Sequence, residues 1–97
     1  MKIFFTHSAF GDLEAIKEYY LGEGVPHIGE EFVIAIISHV QTLKQHPDIG
    51  RLVPEFDNPK IRELIHAPFR VVYLREKTAV HIVRVWRSDR ILALPDE

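Results

Sequence analysis

The chain has no cysteine, so it forms no disulfide and builds no site that needs thiolate ligands. It has no long apolar run. The first residues, Met1 to His7, hold one lysine and three consecutive apolar residues, too few for the core of a signal peptide. No stretch approaches the length of a membrane span, and the expected location is the cytoplasm. No repeat, low-complexity tract or linker divides the sequence. A surplus of positive charge is also missing: the formal net charge is −2, which argues against a chain-wide electrostatic nucleic-acid binder.

The 97 residues are expected to form one domain over 1–97, with 46% apolar residues to fill a modest core. A domain of this size is stable by roughly 5–10 kcal/mol. Charge is unevenly spread. Three lysines face seven acids in residues 1–50, whereas nine cations face seven acids in residues 51–97. All seven arginines lie from Arg51 to Arg90. Arginine presents a planar fork of donors that matches carboxylate and phosphate.

Periodicity gives the order of elements. Lys2 to Thr6 reads as a short strand. Ser8 is placed to cap a helix whose apolar stripe is Phe10, Leu13, Ile16 and Tyr20, and Gly22 and Gly24 stop it. Pro26 suits the first turn of a second helix. Its stripe of Ile28, Phe32, Ala35, Ile36, Val40 and Leu43 runs to about Gln45, before His46-Pro47. The short link predicts an antiparallel helix hairpin. Arg51 to Phe56 then reads as short and extended, and Asp57-Asn58-Pro59 as a turn. Ile61–Ala67, Phe69–Leu74 and Ala79–Val85 are rich in β-branched and aromatic residues and predict an antiparallel meander. Apolar groups on both faces of residues 69–74 predict a central strand. The expected class is α+β, in the order β-α-α-β-β-β.

That order and five strings resemble the RelE/ParE toxins of type II toxin–antitoxin systems. The strings are Ala9-x-x-Asp12-Leu13-x-x-Ile16-x-x-Tyr19, Leu43-x-x-x-Pro47-x-x-Gly50-Arg51, Ile61-Arg62-Glu63-Leu64, Phe69-Arg70-Val71-Val72-Tyr73, and Ile82-Val83-Arg84-Val85-Trp86-Arg87-Ser88-Asp89-Arg90. The resemblance spans about residues 3 to 92. The resemblance implies a growth-arresting toxin held in a hetero-oligomer by a separately encoded antitoxin, with no cofactor, no metal and no membrane partner. It implies one of two targets: DNA gyrase, inhibited by binding alone as in ParE, or ribosome-bound mRNA, cleaved as in RelE. A third reading is a partner of the antitoxin that is not itself toxic.

In the YoeB-like branch a Glu, an Arg and a His share the chemistry. Glu55 and Arg70 stand for the first two, but Arg87 stands where many members place His. Metal-free RNA cleavage needs a base for the 2′-hydroxyl, cations for the charge growing on phosphate, and an acid for the leaving oxygen. Arg51, Arg62, Arg70 and Arg87 suit the cationic role, and Glu55 is the one credible base. Trp86 or Tyr73 is a stacking platform for a splayed nucleotide. Arginine, with a pKa above ~12, is a poor base or acid. The missing His and the acidic balance tilt the reading toward gyrase.

Each candidate also has a purely structural reading. Arg70 pairs with Glu55 or Glu63. Arg51 caps helix carbonyls, and Arg62 pairs with an acid on a neighbouring strand. Arg87 and Arg90 are solvated strand ends, and Trp86 is core or antitoxin contact. Among the six histidines, His39 and His46 share a helix face, without a third ligand.

Overall fold

The computed structural model describes residues 1–88. A five-stranded sheet is backed by two helices, with elements β1 (Lys2–Phe5), α1 (His7–Gly22), α2 (Pro26–Gln41), β2 (Arg51–Leu52), β3 (Ile61–His66), β4 (Phe69–Arg75) and β5 (Ala79–Arg87). The strand order is β1-β5-β4-β3-β2. β1 lies parallel to β5 at one edge, and the other three pairings are antiparallel. The expected order of elements is borne out, with β2 as a two-residue addition to the three-stranded meander.

Local chemistry explains most boundaries and corrects two details. Thr6, just past β1, is still extended and its N–H donates to the Ile82 carbonyl; α1 starts at His7 and its cap is Thr6 instead of Ser8. The Thr6 hydroxyl accepts from the Ala9 N–H at 3.1 Å. The apolar stripe holds at Leu13, Ile16 and Tyr20 and differs only at its first member. Ala9, Leu13 and Ile16 are buried, while Phe10 is 57% exposed. Beyond α1, Gly24 takes φ +82°, a left-handed turn that favours glycine. Pro26 opens α2, which ends at Gln41; the chain then tightens into a 3-10 turn over Thr42–Lys44 in place of the α-helix expected to Gln45.

The core lies between the helices and one face of the sheet. Leu13, Ile16, Ile36, Val40 and Leu43 pack with Leu64, Val71, Tyr73, Val80, Ile82 and Val85. Each such aliphatic side chain contributes about 1.5–3 kcal/mol by leaving water. β4 is the middle strand and is buried from Phe69 to Tyr73, as its two-sided apolar pattern implied.

Strand alternation sorts the remaining side chains onto two faces. Leu64, Val71 and Tyr73 point to the helices. Their neighbours Glu63, Arg70 and Val72 therefore point to the opposite face, the one that α1 and α2 leave uncovered. A register shift between Val72 and Tyr73 puts an extra β5 residue, Val83, into the ladder. Beyond it, Arg84 faces Val72 and Trp86 faces Arg70, so both lie on the uncovered face, while Arg87 faces Phe69 on the helix side. No helix among the described residues is long and apolar enough to cross a membrane.

Candidate functional site

The uncovered face carries a chain of ion pairs built by the register. Arg51 on β2 stands directly across from Glu63 on β3, and Arg70 on β4 sits diagonally from it. Each oxygen of the Glu63 carboxylate accepts one guanidinium Nε–H at 2.6 Å, from Arg51 and from Arg70. Glu63 is 1% exposed and Arg70 5% exposed. The outer Nη1 and Nη2 of Arg70 then donate a fork of two 2.8 Å bonds to the Glu55 carboxylate, which hangs from the turn between β2 and β3.

The fork has electrostatic consequences. Chiefly through the Arg70 hydrogen bonds, the Glu55 carboxyl is held at about 2, against an ordinary value of 4.5. The pairing with Glu55, and then with Glu63, pushes the Arg70 guanidinium further above its ordinary value. A carboxyl depressed in the folded chain stabilises fully above pH 4.5 and loses that contribution as pH falls through about 2. Glu55→Gln is therefore expected to lower the urea midpoint at pH 6 and to differ from the parent less and less from pH 4.5 down to 2. A gap that stays constant over that range, measured by urea titration, would show that the fork does not operate in solution.

A groove of about 320 Å³ opens beside these pairs, lined by Arg51, Pro54, Glu55, Ile65, Arg70 and Ser88. The structure thus brings Arg51, Glu55 and Arg70 together, with Trp86 next to Arg70 across the β4–β5 ladder. Arg84 lies 5.2 Å above the Trp86 ring, a cation–π contact.

The four arginines read for one cationic role, Arg51, Arg62, Arg70 and Arg87, do not all share a face. Arg62 points to the helix side, where its Nη1 donates to the Gly50 carbonyl at 2.8 Å and the Asp48 carbonyl at 3.3 Å. Arg87 sits over the Phe69 ring at 5.6 Å, with Nη1 3.5 Å from the Tyr20 hydroxyl. The structural roles read for Arg51 and Arg62 also exchange: Arg51 pairs with the acid on the neighbouring strand, and Arg62 holds the carbonyls of the joint. One residue of parity causes the exchange, because Glu63 and Arg62 are consecutive and face opposite ways. Arg90 lies outside the described residues.

Sequence reasoning gave Glu63 a minor part, yet it organises the cluster. Its signal was an acid between Ile61 and Ile65 in strand alternation, a place a carboxylate occupies only when paired. Asp12 and Arg84 were also missed as a pair. Asp12 accepts both Arg84 Nε–H and Nη2–H, at 2.8 and 3.0 Å, and takes the Val85 N–H at 2.8 Å on a stretch of β5 beyond the register of β1.

The histidines stand elsewhere. His39 Nδ1 and His66 Nδ1 share a hydrogen bond of 3.0 Å between α2 and β3, and burial, then His39, lowers the His66 pKa. His81 stacks on Phe4 with ring centroids 5.2 Å apart. Among the described residues no three potential ligands cluster around a metal position. Among the described residues, two cations and two carboxylates make the site close to neutral. Its base candidate is a weak base, and its guanidinium holds its proton at every accessible pH.

Comparison with known proteins points one way. The family model described as ParE toxin of type II toxin-antitoxin system, parDE, matches residues 3–92. A solved structure titled as a chromosomal ParDE TA system from P. aeruginosa is 27% identical, with a TM-score of 0.76, covering 90% of this chain and 95% of that one. A YoeB/ParE toxin from Agrobacterium tumefaciens is similar in fold at 18% identity and a TM-score of 0.63, covering 90% of this chain and 98% of that one. No curated protein matches the chain.

Proposed function

The chain belongs to the ParE toxin family of type II toxin–antitoxin systems, and we propose that it arrests growth in the cytoplasm by binding and inhibiting DNA gyrase, without chemistry of its own. A cognate antitoxin neutralises it in a hetero-oligomer, as membership of such a system entails.

The observation that carries this reading is the state of Glu55. A general base works best with a pKa near the operating pH. Glu55 sits at about 2 and is clamped by both outer nitrogens of Arg70. Arg87, at the position where nuclease relatives hold a histidine, packs over Phe69 on the opposite side of the sheet from Arg70. The cations of the groove are matched by carboxylates, so little positive charge is left for a scissile phosphate. Such a surface suits docking better than phosphoryl transfer.

Two assays on the purified chain separate the readings. Gyrase supercoiling is expected to stop at stoichiometric toxin, while cell-free translation continues. Cleaved mRNA in the translation mix with supercoiling intact would move the protein to the RelE-like endoribonuclease reading. Induction alone is expected to halt growth, and co-expression of the antitoxin to restore it. Normal growth under the lone chain would leave only the reading of a non-toxic antitoxin partner.

A further inference from the structure

The two carboxylates on Arg70 are held very differently. Glu63 is enclosed, fixed in a strand and shared with Arg51. Glu55 is 43% exposed at its side chain and hangs on the turn between β2 and β3. Glu55 reaches Arg70 from the solvent side, whereas Glu63 fixes the Arg70 guanidinium through its Nε and does so with or without Glu55. Protonation does not release Glu55 near neutral pH, since its carboxyl is held at about 2. Only a competing anion displaces it.

We infer that the groove is a receptor for a carboxylate carried on an apolar protein segment, and that Glu55 occupies the outer fork of Arg70 as an internal stand-in until such a segment displaces it. The forked donors of a guanidinium fit any carboxylate in the same two-bond manner. Arg70 is already aimed, because its Nε is spent on Glu63 and only Nη1 and Nη2 face the groove.

The walls define the class of ligand. Pro54 and Ile65 line the groove, and Ile65 stands directly across β3–β4 from Arg70. Displacing Glu55 leaves Arg51 and Arg70 against Glu63, a surplus of one positive charge. One uncompensated cation beside an aliphatic wall selects a single carboxylate with an apolar neighbour. A nucleic-acid backbone needs several phosphate contacts to bind at physiological salt. The inference holds whichever macromolecule the toxin poisons, since it concerns only what Arg70 accepts.

Hexanoate, a carboxylate with a short apolar tail, serves as the probe, with inorganic phosphate as comparator. Binding is followed through the Arg70 side-chain resonances and backbone amides in NMR titrations of the full chain. Glu55→Ala, a change on an exposed turn, is expected to tighten hexanoate binding roughly ten-fold or more, the scale of a charged hydrogen-bond pair. Arg70→Lys in the same background keeps a cation beside Glu63 but loses the fork, and should abolish the gain. The inference is overturned if Glu55→Ala gives no tightening, if Arg70→Lys retains it, or if phosphate binds the opened groove more tightly than hexanoate. That last result would assign the site to phosphate-bearing ligands.

Discussion

Glu63→Gln is expected to destabilise the chain by about 3–5 kcal/mol, close to the whole stability of a small domain. The carboxylate is 1% exposed and is the partner of two guanidinium Nε–H groups at 2.6 Å. Glutamine keeps the shape and loses the charge. Its amide nitrogen then confronts one of two arginines, neither of which has an acceptor to offer. Arg70, 5% exposed, is left as a buried cation whose remaining partner, Glu55, reaches it from the solvent side.

Urea unfolding should show the loss as a lowered midpoint with unchanged slope. A double variant, Glu63→Gln with Arg70→Met, removes the orphaned cation and should cost less than Glu63→Gln alone, because an apolar side chain replaces an unpaired charge. Arg51 is 59% exposed, so Arg51→Met should cost no more than about 1 kcal/mol. A Glu63→Gln midpoint within error of the parent would mean that the buried pair does not hold β3 to β4.

The helices and meander were legible because their periods differ. Stripes at three and four residues gave way to two-residue alternation at Arg51, and Pro26 and Pro47 punctuated the change. The parallel partnership of β1 with β5 was not legible. It joins the first residues to Ala79–Ile82 across the whole chain, and no local pattern encodes that pairing.

The faces of the arginines were half legible. Strict alternation alone separates Arg62 from Glu63, and it also puts Arg70 with Glu63 once β3 and β4 are joined through Ala67-Pro68. Arg87 was out of reach. Counting back from the Arg75–Val80 pair places Trp86 opposite Phe69, on the helix side, with Arg87 beyond it on the uncovered face. The extra residue at Val83 reverses both. A bulge of one residue decides whether a tryptophan or an arginine joins the candidate site, and strand alternation in the sequence does not mark where it falls. Glu55 was found from the family pattern, but its tether to Arg70 depends on the path of the turn over residues 53–56.

Gly50→Ala is the other change expected to act strongly, by about 3 kcal/mol or more. A Cβ at this position meets the Tyr73 hydroxyl at 2.6 Å, and the Glu63 carbonyl and Tyr73 Cε1 at 2.7 Å. Those distances lie inside van der Waals contact, so something has to move. Tyr73 is fully buried in the core and is held at both sides of its hydroxyl: it accepts the Gly50 N–H at 3.0 Å and donates to the Pro47 carbonyl at 2.8 Å. Swinging the ring away breaks both bonds, about 1 kcal/mol each, on top of the 1–3 kcal/mol typical of overpacking.

The alternative, a shift of the backbone, pulls β2 from β3 and stretches the Arg51–Glu63 pair that begins one residue later. Damage at Gly50 therefore spreads to the candidate site, and the Arg70 resonances should move along with the unfolding midpoint. Gly11 is the control. It lies in the middle of α1 with open space around a built Cβ, so Gly11→Ala should stabilise by about 0.5–1 kcal/mol through helix propensity alone. Equal effects at the two glycines, in sign and size, would remove the close contact with Tyr73 as the reason for glycine at the joint.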